Sequence, residues 1–117
     1  MKSSTFTSAL LAAAAATLML APLSAQSAAT ADLYNHKCAT CHGKDGAAHT
    51  LKAAKILKED KVQVKDLRSA EVQQKLTDAD IAKMIAEGKQ PGMDGFAKDF
   101  TKAQIEDLVK YVRSLKK

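Results

Sequence analysis

Tryptophan is absent from this 117-residue chain, and proline and cysteine occur twice each. Aromatic side chains are scarce, with three phenylalanines and two tyrosines. So few large rings leave a thin core, and a domain of this size usually needs a disulfide, a metal or a cofactor as a staple. Only Cys38 and Cys41 offer the thiols for one. No segment alternates apolar and polar residues as a strand does, and no internal repeat or low-complexity segment follows the N-terminal region. Charge is missing there too: Lys2 is the only charged residue before Asp32.

That uncharged stretch has the layout of a secretory leader. A basic start precedes the apolar run Ala9–Ala21 and the small-residue sequence PLSAQSAAT. Cleavage is expected after Ala25 and no later than Ala29, which leaves residues 26–117 as one small domain. The apolar run is short for a membrane-spanning helix. No cysteine lies near the cleavage zone, which excludes a lipid anchor there. The expected product is a soluble, monomeric protein exported to the periplasm. The whole chain has a formal charge of +5, but export argues against a nucleic-acid partner.

The remaining pattern is helical. Thr101-Lys102-Ala103-Gln104 is a capping box, and Ile105, Leu108, Val109, Val112 and Leu115 follow at helical spacing. Lys110, Arg113, Lys116 and Lys117 place cations at the negative end of that helix dipole. Thr77-Asp78-Ala79-Asp80 opens another helix, with Ile81, Met84 and Ile85 on its apolar face and Gly88 at its end. Shorter helices are predicted over Ser69–Lys75 and His49–Leu57, and an N-terminal one over Ala31–Thr40 with Leu33 and Tyr34 inward. Between Gly88 and Thr101 the sequence GKQPGMDGFAKDF excludes regular helix and makes a shaped loop around Met93.

The two thiols stand in CATCH, Cys38 to His42. A CxxC pair serves a redox disulfide, a zinc site or covalent haem attachment. A thioredoxin-like disulfide needs strands around it, which the sequence does not provide. Zinc would need two further ligands from His36, His42 and His49, at spacings that match no familiar zinc pattern. Haem attachment accounts for every residue. Cysteines at i and i+3 project from one helical face toward the two vinyl groups of a porphyrin, and the histidine behind them meets the iron.

The sequence resembles the small mono-haem class I cytochromes c over essentially the whole mature chain, most specifically at CATCH. Tyr34, four residues before the first cysteine, matches an aromatic of that family. Leu108 and Tyr111 match its C-terminal helix, and Met93 in GKQPGMDGF matches its ligand loop. The resemblance implies an all-α domain wrapped around one haem c held by two thioether bonds. It also implies His42 and Met93 as axial ligands and a one-electron carrier rather than an enzyme. Two positions depart from the pattern. Thr30 stands where a glycine is common. No proline lies between His42 and Pro91 to supply the carbonyl that orients the histidine ring, and that carbonyl is expected within Gly46–Ile56.

Methionine in a glycine- and proline-bounded loop suits a soft axial ligand, which raises the potential of haem iron. Met84 is the competing thioether, but its helical spacing with Ile81 and Ile85 marks a core residue. An open or labile second axial position would instead make a haem peroxidase or gas sensor. His36 and His49 are expected on the solvated surface. The series Lys52, Lys55, Lys58, Lys61 and Lys65 is expected as a solvated helix face. Lys44, Lys89 and Lys98 flank the motif and the Met93 loop, and there they would meet an acidic redox partner.

Overall fold

The computed structural model describes residues 14–17 and 23–116. Apart from 14–17, the apolar run of the expected leader lies outside them. No helix among the described residues is long and apolar enough to cross a membrane.

Among the described residues there are five α-helices: α1 Leu23–Lys37, α2 Ala39–His42, α3 Leu51–Asp60, α4 Asp78–Glu87 and α5 Lys102–Ser114. A five-residue π-helical segment, Glu71–Lys75, precedes α4. The helical class expected from the sequence is thus the observed one. The N-terminal helix begins earlier than expected, because the alanine- and serine-rich residues before Ala31 continue it. It turns at Cys38, and Ala39–His42 form a separate short helix.

Local signals set the helix starts. The hydroxyls of Thr77 and Thr101 accept hydrogen bonds from the amides of Asp80 and Gln104, and both capping boxes are complete. The first uses aspartate where glutamate is usual. Thr50, which the sequence did not single out, caps α3 by accepting from the Ala53 amide. Each such cap contributes about 1 kcal/mol.

The strand-free expectation needs one correction. Gly88–Lys89 (β1) and Met93–Asp94 (β2) pair antiparallel, with Gly88 opposite Asp94 and Lys89 opposite Met93. The turn through Pro91 and Gly92 brings them together, and Gly92 adopts a φ of +112°. A two-residue ladder has no room for the alternation by which strands are read from sequence.

The core joins Tyr34 of α1, Val72, Ile81 and Ile85 of α4, Phe100, and Leu108, Val109 and Val112 of α5. Tyr34 and Leu108 are fully buried, and the Tyr34 and Tyr111 ring centroids lie 4.7 Å apart where α1 meets α5. Thr30, at the position where glycine was the family norm, is half-buried.

Arg113 does more than complement a helix dipole. Its Nε donates to Asp78 Oδ1 at 2.8 Å, and its other nitrogens donate to the carbonyls of Val72, Gln73 and Leu76. Gln73 Nε2 donates to the carbonyls of Leu67 and Val112. The end of α5 is thereby stitched to the irregular segment before α4. Arg113→Ala leaves three partly buried carbonyls without this donor and should cost about 1–3 kcal/mol in denaturant unfolding of the haem-loaded protein. Arg113→Lys should recover little of it, since an ammonium cannot span the fork. Parent-like stability of Arg113→Ala would contradict this account.

Candidate haem site

Cys38 ends the first helix and Cys41 lies inside α2. Both thiols are free and half-buried, and Cys38 packs against the core cluster. The Cys38 amide donates to the Tyr34 carbonyl at 2.8 Å, and the His42 amide donates to the Cys38 carbonyl at 2.9 Å. The motif is therefore held in helical register on both sides of its bend. Gly43 ends α2 at a φ of +80°. The Tyr34 hydroxyl donates to its carbonyl at 2.8 Å, and the Thr50 hydroxyl donates to the Cys41 carbonyl at 2.9 Å.

Burial and the placement of the histidines bear on the three chemistries open to a CxxC pair. Burial first, and then the neighbouring Cys41, push the Cys38 thiol up to about 11. A redox-active pair needs the opposite shift, toward thiolate. Among the described residues, no three or more His, Cys, Asp or Glu side chains gather to cage a metal ion. His36 and His49 are both exposed, so the residues counted toward zinc are not brought together.

His42 has the geometry of an oriented ligand. Its Nδ1 lies 3.0 Å from the Lys65 carbonyl oxygen. A carbonyl only accepts, so Nδ1 carries the proton and the neutral ring presents a bare Nε2. Burial lowers the His42 pKa against a smaller upward pull from the Lys65 carbonyl, which favours that neutral form. A hydrogen bond of this kind fixes the tautomer and orientation of a metal-bound imidazole.

This carbonyl corrects the expectation that it would lie within Gly46–Ile56. The Ala48 amide already donates to the His42 carbonyl at 2.7 Å, but the carbonyl that meets the ring is supplied only after α3, at Lys65. Nothing local in the sequence marks that residue. Lys65 itself is steadied by an ion pair between its ammonium and Glu71, which holds the Glu71 carboxyl below the usual range. Of the five lysines expected on one helix face, Lys52, Lys55 and Lys58 lie exposed on α3, whereas Lys61 follows the helix in a left-handed conformation and Lys65 is half-buried beyond it.

Met93 is half-buried on β2, and the hairpin turn before it rests on the core side of α3. A Cβ placed on Gly92 would come within 3.4 Å of Ile56 and 3.6 Å of Val62. Met84 does not have the core position expected from its spacing. It is half-buried and, unlike Ile81 and Ile85, is not part of the core cluster. No hydrogen bond ties Met93 to the cysteine motif. Lys44, Lys89 and Lys98 are exposed.

A covalently attached haem fits these residues. Two free thiols stand one turn apart, an imidazole beside them has a bare Nε2, and a thioether is available on a separate loop.

Comparison with known proteins agrees. The family model described as "Cytochrome C oxidase, cbb3-type, subunit III" matches residues 25–112. The solved structure of the KustC0563 c-type cytochrome is 32% identical, with a TM-score of 0.64, covering 75% of this chain and 98% of that one. A tyrosine-to-phenylalanine mutant of Kustc0563 is 30% identical, with a TM-score of 0.63, covering 74% and 98%. No curated protein matches. The chain is thus a c-type cytochrome, an electron carrier with covalently attached haem c, and belongs to the family of the cbb3-type cytochrome c oxidase subunit III.

Proposed function

We propose that residues 26–117 form a periplasmic one-electron carrier. In this reading Cys38 and Cys41 hold the haem through thioethers, and His42 Nε2 and the Met93 sulfur complete the iron coordination. The bound haem supplies the reversible ferric–ferrous couple. The observation that carries the reading is the His42 Nδ1–Lys65 carbonyl bond, which presents Nε2 beside two free thiols. Tyr34 and Thr50 hold the carbonyls of Gly43 and Cys41, so the backbone bearing the thiols and the ring is braced from two directions. A thioether from Met93 would raise the potential of a bound haem and would leave its iron no open site for substrate.

The family takes its name from an oxidase subunit, and delivery of electrons to a terminal oxidase falls within the same reading. The exposed Lys44, Lys89 and Lys98 favour a partner with an acidic docking surface. Complementary charge of this kind chiefly raises association rates and is screened by salt.

Replacing Met93 with alanine should abolish the weak long-wavelength absorption of a methionine–ferric iron bond, lower the midpoint potential and admit carbon monoxide to the reduced protein. Met84→Ala should keep that band. The opposite pattern would transfer the ligand role to Met84, and rapid carbon monoxide binding by the parent would favour a sensor or peroxidase.

The thin aromatic core should also depend on the cofactor. The Cys38→Ala, Cys41→Ala double variant, produced without haem, should give a weak helical circular dichroism spectrum and no cooperative melt. A sharp thermal transition in it would show that the polypeptide folds unaided.

Electron transfer to the native acceptor, followed by stopped flow, should slow as salt rises. Charge reversal at Lys89 and Lys98 should flatten that dependence more than reversal at Lys52 and Lys55. A rate indifferent to ionic strength would leave these lysines no steering role.

A further inference from the structure

The hairpin that carries Met93 has two residues in each strand, too few to fix a side chain by their own ladder. Its hydrogen bonds beyond the ladder are concentrated at its root. The Phe96 amide donates to the Ile85 carbonyl at 2.9 Å, and the Ala97 amide to the Ala86 carbonyl at 3.0 Å. The Gly88 amide donates to the Met84 carbonyl. These acceptors belong to the last turns of α4, where carbonyls otherwise lack helical partners. The chain leaving β2 therefore replaces the missing next turn of the helix.

That docking is possible only where two backbones touch. A Cβ on Gly95 would stand 2.5 Å from the carbonyl carbon of Glu87 and 2.6 Å from the carbonyl oxygens of Ala86 and Glu87. A Cβ on Gly88 would stand 2.5 Å from the Gly95 nitrogen and the Met93 oxygen, and 2.6 Å from the Asp94 carbonyl carbon. Every obstructing atom is main chain, so no rotamer change can relieve the overlap. Gly88 also needs its φ of +72°, whereas Gly95 has no left-handed φ. Gly95 is thus required for space alone.

We propose that Gly88 and Gly95 are positioning residues for Met93: by letting β2 lie at backbone contact on the end of α4, they set where the thioether stands. The proposal rests on Met93 being the iron ligand. It makes α4 the reference body for that ligand. Gln90, whose Nε2 donates to Asp94 Oδ1 at 2.9 Å, closes the hairpin but does not attach it.

The test uses the haem-loaded protein. Gly95→Ala should retain the helical circular dichroism of the parent but lose most of the methionine–ferric iron absorption. Imidazole, competing for the same axial position, should bind its ferric form roughly tenfold more tightly or better. Met84→Ala, which alters a half-buried side chain but leaves the main-chain bonds of the hairpin root in place, should change neither signal. A folded Gly95→Ala with the parent's absorption and imidazole affinity would overturn the proposal. Met93→Ala run alongside separates the two readings: absorption kept there removes the ligand assignment itself. Absorption lost there but kept in Gly95→Ala removes only the positioning role. Hydrogen exchange on the unaltered protein decides the matter if Gly95→Ala does not fold. The amides of Phe96 and Ala97 should exchange as slowly as those in the middle of α4, and free exchange would show that the root is not clamped.

Discussion

Three parts of the chain meet on Tyr34. Its ring is fully buried against Tyr111 of the last helix, and its hydroxyl donates to the carbonyl of Gly43 just past the cysteine motif. Removing the ring from water supplies the apolar gain, and the hydrogen bond removes the cost of burying the hydroxyl. Burial and the surrounding acidic groups push its phenol well above the ordinary value, so it stays a neutral donor. One side chain thereby fixes the first helix against the last and both against the segment that carries the thiols. The placement of the site follows from this junction.

Two further bonds hold the site from the far side. His42 is bonded to Lys65 and the Cys41 carbonyl to Thr50, so the segment between them, including α3, is pinned at both ends. Burial of Ala53 and Ile56 leaves the opposite face of α3 to solvent, where Leu51 is 92% exposed. That face has no packing role among the described residues, which is why it tolerates lysines at regular intervals. The irregular stretch from Leu67 to Leu76, by contrast, is tied down by Gln73 and Arg113.

What the sequence made legible was local. The capping boxes at Thr77 and Thr101 and the termination at Gly88 each lie within a few neighbouring residues, and each stands where it was expected. Inward placement of Tyr34 and Leu108 was equally visible, through an aromatic four residues before a cysteine and a helical apolar stripe. What stayed hidden depends on groups far apart in the chain. The Lys65 carbonyl is a backbone atom that every residue possesses, and only the return of the loop selects it. Arg113 looked like a dipole partner because its carbonyl acceptors lie some forty residues away. Met84 had the spacing of a core residue yet is only half-buried beside the buried Ile81 and Ile85. The glycines at 88 and 95 read as loop punctuation until their backbones were seen in contact.

The meeting of α1 with α5 has a consequence for the order of events as the chain is made. Synthesis proceeds from the N-terminus, so Cys38 and Cys41 emerge about seventy residues before Tyr111. Until then Tyr34 has no partner ring and the first helix has nothing to close against. Closing so long a loop is slow relative to forming the short helix that bears the thiols. The cysteine pair therefore passes through an interval in which it is still uncovered. Chemistry at the sulfurs has its widest access in that interval, before the last helix arrives.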